Sequence, residues 1–139
     1  MNLKNYSSTI EYQKSIESIK KLLIEYGAYS VIEKYENKEV SGIAFVMPID
    51  NKAMTFQLPA RVSDIKNFLI KTRRMSPENA YKQAQKTAWK LIHEWIQIQL
   101  TMIALDQAEP LELFFPYLTD GVNTYYEKVK ANDFKQLTN

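Results

Sequence analysis

Residues 29–59 read YSVIEKYENKEVSGIAFVMPIDNKAMTFQLP. β-branched and aromatic residues dominate, broken at Glu36-Asn37-Lys38-Glu39 and at Pro48-Ile49-Asp50-Asn51-Lys52. Three strands follow, near 29–35, 40–47 and 54–58, joined in an antiparallel meander. Period-2 alternation puts Ile43, Phe45 and Met47 on one face with Met54, Phe56 and Leu58, an apolar surface that helices must cover. The opposite face carries Val40, Ala44, Val46, Thr55 and Gln57, small and partly polar, and is either covered or used.

Before the meander, Tyr12, Ile16, Ile19, Leu23 and Tyr26 recur at steps of four and three, the signature of one helical face. Ser8 and Glu11 have capping-box spacing, and Gly27 stands where a left-handed C-terminal cap belongs. After it, Pro59 ends the sheet, and residues 62–71 read as a short helix with Ile65, Phe68 and Leu69 inward. Ser76-Pro77-Glu78 then supplies an N-cap, a proline at the first helical position and an acid in the first turn. The helix they start runs to about residue 105, with Ala84, Ala88, Leu91, Trp95, Ile98 and Met102 at helical spacing. At ~1.5 Å per residue it spans roughly 40 Å and crosses the whole domain. Residues 111–118 form an apolar strap, and a terminal helix is expected around 123–130. Gln99, between Trp95 and Met102, is expected to be buried and bonded to carbonyls of the strap. The expected architecture is a single α+β domain over residues 1–139. It has an N-terminal helix, the meander, a short helix, one long helix packed across the sheet, and a C-terminal apolar strap with a short helix. Residues 1–8 and 131–139 are expected to be flexible.

Composition narrows the chemistry. The chain has 139 residues, no cysteine, one histidine and three glycines. Disulfides, thiol nucleophiles and thiolate zinc sites are thereby excluded, and no P-loop or dinucleotide fingerprint occurs. His93-Glu94 opens like a zinc-protease motif, but Gln97 stands where the second histidine belongs. No glycine-flanked nucleophile turn is present to use His93. Glu33, Glu36, Glu39 and Asp50 gather at the hairpin turns, where acids serve solubility more often than metal binding. No catalytic residues, metal or cofactor are therefore expected, and the chain reads as a non-enzyme. The N-terminus lacks the pattern of a secretory signal, and no apolar run approaches the ~20 residues that span a bilayer, so a cytoplasmic protein without membrane contact is expected.

The net charge of +2 conceals a segregation. Residues 61–90 hold eight basic side chains (Arg61, Lys66, Lys71, Arg73, Arg74, Lys82, Lys86, Lys90) against Asp64 and Glu78, a local +6. Residues 1–60 balance at seven and seven, and residues 91–139 carry three basic against seven acidic side chains, with Asp106, Glu109 and Glu112 grouped after the long helix. Lys82, Lys86 and Lys90 recur every four residues and line one stripe of that helix, which His93 and Gln97 extend. Trp89 borders the stripe, and Arg73-Arg74 precede it. Lysines neutralise phosphates and an aromatic ring stacks an unpaired base, so Arg73, Arg74, Lys82, Lys86, Trp89 and Lys90 form the expected nucleic-acid site. The aromatic and small residues of the second sheet face are expected to add a platform. The competing reading of the same stripe is the solvated face of an amphipathic helix with Trp89 in the core.

Several segments together resemble a family of small uncharacterised proteins encoded by tailed phages and prophages. They are Gly27-Ala28 with Tyr35, then Phe56-Gln57-Leu58-Pro59-Ala60, Gln83-Ala84, Ala88-Trp89-Lys90, Glu94-Trp95, Gln99-Leu100, Phe114-Phe115-Pro116-Tyr117 and Tyr125-Tyr126-Glu127. In that family the positions of Lys86 and Lys90 are usually arginine and that of His93 is often basic; lysine keeps the charge but loses bidentate phosphate geometry. The resemblance implies a mobile-element setting in a bacterial host cell. The expected function is non-enzymatic binding of single-stranded DNA, without sequence specificity, in replication or recombination. The alternative is a protein-interaction or assembly module, either a homo-oligomer mated through its basic middle and acidic end or a binder of a host factor. An exposed aromatic strap at residues 114–117 would favour that alternative.

Overall fold

The computed structural model describes residues 3–139, with side chains from residue 11 onward. The expectation of a flexible start at residues 1–8 falls on positions 1–2, outside the described residues, and on residues whose side chains are likewise outside them. The backbone forms α1 (Leu3–Glu25), β1 (Ser30–Glu36), β2 (Glu39–Ile49), β3 (Lys52–Pro59), α2 (Val62–Arg73), α3 (Pro77–Ala104), α4 (Pro110–Phe114), a 3-10 turn (Phe115–Tyr117) and α5 (Tyr125–Ala131). This is the expected α+β order. Helix α1 begins at Leu3, so Ser8 lies inside it and does not mark its start.

Helix α1 ends as Gly27 demands. Gly27 has φ +104°, its N–H donates to the Ile24 carbonyl (3.1 Å), and the Ala28 N–H donates to that of Leu23 (2.9 Å). This pair of bonds satisfies carbonyls the helix would otherwise leave open, and the buried Ala28 and Leu23 supply the accompanying apolar contact. Tyr26, just past the helix, turns outward.

The sheet has order β1-β2-β3, both pairs antiparallel. Each hairpin closes with two residues at positive φ, Asn37-Lys38 and Asp50-Asn51, the backbone that matches the right-handed strand twist. Ile43, Phe45, Met47, Ile49, Phe56 and Leu58 are buried on one face against Ile16, Ile19 and Leu23 of α1 and against α3. One expectation about the other face changes. The β1–β2 register jumps from Lys34↔Gly42 to Tyr35↔Val40, leaving Ser41 as a bulge. That extra residue turns Val40 to the inner face, where it packs on the core. Gly42 is required by close approach: a Cβ there would lie 2.6 Å from the Leu58 carbonyl oxygen.

Helix α3 starts at its signalled cap, with Ser76 Oγ accepting from the Asn79 N–H (3.3 Å). The arc it buries is rotated by roughly a quarter turn from the expected stripe. Ala80, Ala84, Gln85, Ala88, Trp89, Ile96 and Leu100 are buried, whereas Leu91 is 55% and Ile98 58% exposed. The expected stripe holds for a helix covered by one neighbour. In the fold α3 touches α1 along one flank and α2 along another, and Ala88, Trp89, Ile96 and Leu100 share the central core with the sheet. Ala80 and Ala84 are fully buried yet belong to no part of the central core, as fits the flank where α2 folds back. Helix α2 packs chiefly on α3, buries no residue completely, and leaves Phe68 59% exposed instead of inward.

The apolar strap is α4 plus the 3-10 turn. Glu109 and Glu112 close a reciprocal capping box on α4, which gives two members of the acidic group a local role. Phe114 is buried among Phe45 (ring centroids 5.3 Å), Phe56 (5.7 Å) and Trp95 (5.9 Å), while Phe115 is 38% exposed and stacks edge-on Tyr125 at 4.5 Å. The strap is therefore not an exposed aromatic patch as a whole. Leu118 then bridges Phe56, and the Thr119 N–H donates to the Thr55 carbonyl (2.9 Å), covering part of the free edge of β3. Asp120 holds the next turn, accepting from the N–H groups of Val122 (2.9 Å) and Asn123 (3.0 Å) and pairing with Lys128 (2.7 Å). These bonds keep its carboxyl well below the usual carboxylate range, the Lys128 contact contributing most. Thr124 and Glu127 cap α5 reciprocally, and residues 132–137 continue as hydrogen-bonded turns. Among the described residues no helix is long and apolar enough to cross a membrane.

Candidate nucleic-acid interface

The basic excess of residues 61–90 folds into one helical hairpin. α2 and α3 pack side by side, joined by Arg74-Met75-Ser76, where Arg74 takes a left-handed conformation (φ 53°) that ends α2. Lys71, Arg73 and Arg74 thus sit at the closed end, exposed, and in no ion pair among the described residues. Lys90, on the outer side of α3, is likewise exposed and outside those ion pairs.

Two lysines of the stripe are engaged. Lys82 bonds Glu78 one turn earlier (3.2 Å), and its side chain retains only 15% exposure. Lys86 reaches Glu11 on α1 (3.0 Å), both ends about half exposed. A half-exposed pair such as Lys86–Glu11 contributes little to stability and yields readily to a stronger anion, and the two pairs together place two carboxylates in the path of the stripe. Lys66 lies 5.8 Å from the centre of the Tyr81 ring, a cation–π contact inside the hairpin.

Trp89 is not at the surface. It is fully buried in the central core, so it cannot stack a base. The arc between the α1 and α2 flanks of α3 faces the sheet, and position 89 falls within it. The second sheet face also lacks the expected rings. Phe45 and Phe56 alternate onto the inner face with Tyr35, leaving Ala44, Val46, Thr55 and Gln57 outward. The exposed aromatic of the hairpin is Phe68, with Lys71 one turn further along α2. Nothing in the local pattern set Phe68 apart from Ile65 and Leu69.

The four carboxylates at the turns form no common site, although Glu33 and Glu39 both lie near Tyr12. Glu33 takes a hydrogen bond from the Tyr35 hydroxyl and one from Lys20 (3.3 Å), and Glu39 accepts from Gln85 Nε2 (3.4 Å). Asp50 lies at the other hairpin turn, at the opposite end of β2. Among the described residues no three His, Asp or Glu side chains come within reach of one ion. Tyr12, buried beside Glu39, Tyr35 and Glu33, has its hydroxyl pKa pushed up first by burial and then by the nearby Glu39 charge. The buried glutamine is Gln85, held by Tyr81 (3.2 Å) and Glu39, and not Gln99, which is only half-buried.

No family model, curated protein or solved structure matches the chain.

Proposed function

We propose that the protein binds single-stranded DNA, without sequence preference and without catalysis, along the α2–α3 hairpin, from its closed end to Lys90 on the exposed side of α3. The setting is replication or recombination in a phage or other mobile element. The observation that carries this reading is the hairpin itself: it collects the basic excess, and Lys71, Arg73, Arg74 and Lys90 take part in no ion pair among the described residues. Arginines fork onto phosphate oxygens, lysines act as point charges, and Phe68 offers a ring for one unstacked base. Trp89 drops out of the site. Lys82 and Lys86 become second-line contacts, available where a phosphate displaces Glu78 or Glu11.

The test is titration of a fluorescein-labelled oligothymidylate across salt. Four phosphate contacts on a single strand give a slope near −0.7 each, so a fourfold rise from about 50 to about 200 mM salt should weaken binding roughly 50-fold. Reversing Lys71, Arg73 and Arg74 to glutamate should remove most of the affinity, while Trp89→Phe should leave it unchanged. Absence of binding at the lower salt, or indifference to the triple reversal, overturns the reading. A second reading, a protein-interaction module, is favoured by a separate feature, an apolar groove between β3, α3 and α5.

A further inference from the structure

On the side of α3 that the expected stripe would have buried, the molecule keeps an open groove of about 690 Å³. It is lined by Leu58 and Pro59 at the end of β3, by Leu91 and Trp95 of α3, and by Tyr117 and Tyr126 of the C-terminal segment. The groove stays open because α3 is rotated toward α1 and the sheet, which leaves Leu91 largely in solvent. Trp95 is rigidly seated, edge-on to Tyr117 (5.5 Å) and to the buried Phe114 (5.9 Å).

Three elements each contribute an aromatic residue with a polar tip: the Trp95 indole N–H and the Tyr117 and Tyr126 hydroxyls. None of these three groups takes part in the hydrogen bonds found among the described residues. An occupant must therefore offer apolar bulk to the rings and free acceptors to the donors. A helix presents its carbonyls already bonded. A β-strand needs an open backbone edge, and here that edge is spoken for: Leu118 and Thr119 pair with β3, which ends at Pro59, a residue with no N–H. A polyproline II segment meets both demands, with pyrrolidine rings to pack on aromatic faces and carbonyls unbonded along its length. Arg61 is among the lining residues, exposed and in no ion pair among the described residues, so the segment should carry a carboxylate beside its prolines.

We infer that this groove binds a proline-rich, acid-flanked segment of a partner protein. The two tryptophans make the test internal, because Trp89 is sealed in the core and serves as reference for Trp95. Uniformly ¹⁵N-labelled protein is titrated with a decaproline peptide bearing an aspartate pair at either end, with its lysine-flanked counterpart, and with a glycine–serine peptide carrying the same aspartates. The expected result is a saturable shift of the Trp95 indole N–H with the aspartate-flanked decaproline and an unmoved Trp89 signal. Tyr126→Ala, at a side chain 43% exposed, should weaken binding about tenfold, as loss of an aromatic anchor does. Arg61→Glu should reverse the preference toward the lysine-flanked peptide. An unmoved Trp95 signal at millimolar peptide overturns the inference, as does an equal response to the glycine–serine peptide. So does a Trp95 shift that follows protein concentration and is not displaced by peptide, since the groove would then be a contact between copies of this chain.

Discussion

Phe114→Ala is the perturbation that asks most of this fold. The ring is fully buried and lies within 5.3–5.9 Å of Phe45, Phe56 and Trp95, so its removal empties the point where sheet, α3 and the C-terminal segment meet. Deleting a buried phenylalanine side chain costs about 3–5 kcal/mol, and the loss of three aromatic contacts places this site in the upper half of that range. For a domain whose whole stability is of order 5–15 kcal/mol, that is a large share. With a urea slope near 2 kcal/mol/M, the midpoint should fall by about 2 M. The adjacent Phe115 provides the control. It is 38% exposed and keeps mainly one ring neighbour, Tyr125, so Phe115→Ala should cost only about 1 kcal/mol. Urea unfolding followed by far-ultraviolet circular dichroism reads the midpoints, and hydrogen exchange of α5 amides shows whether the C-terminal segment detaches separately. Equal midpoint shifts for the two variants would refute the reasoning, because the argument rests entirely on their different environments. A Phe114→Ala midpoint near wild type with unprotected α5 would show that residues 110–131 are a local appendage and not part of the cooperative core.

Two further outcomes follow from particular contacts. Gly42→Ala places a Cβ 2.6 Å from the Leu58 carbonyl oxygen and 3.2 Å from Pro59 Cα, backbone atoms that move only by parting β2 from β3; a loss of about 1–3 kcal/mol is expected in thermal or urea unfolding, and an unchanged midpoint would deny the close approach. Asp120 has a carboxyl pKa depressed below its unfolded value of about 3.9, so its contribution is complete above that value and fades as pH falls toward the folded pKa. The urea midpoint of wild type should exceed that of Asp120→Asn at neutral pH, with the gap narrowing below about pH 4 and in high salt; a gap independent of pH would count against the Lys128 pairing.

Much of the fold was legible because its signals are local. The two turns at Asn37-Lys38 and Asp50-Asn51, the Gly27 cap and the Ser76-Pro77-Glu78 start each depend on residues within one turn of chain, and the elements they bound appear where the sequence places them. The candidate site was legible only in part. That residues 61–90 are basic needs no structure, but which cations remain free does. Glu11, far away in sequence, reaches Lys86, and Glu78 draws Lys82 partly out of solvent. Trp89 is buried for a related reason: a helical wheel states which residues share an arc, not which arc meets a neighbour.

By itself the sequence determined the elements, their order, the inner face of β2 and β3, and the gathering of positive charge in one stretch, because each is set by spacing along the chain. Only the tertiary structure decided the rotation of α3, the bulge at Ser41 that turns Val40 inward, and the separate fates of Phe114 and Phe115. It also decided the groove that Trp95, Tyr117 and Tyr126 form. These depend on side chains from elements distant in sequence competing for the same space. Packing settles that competition through contacts that no local pattern records.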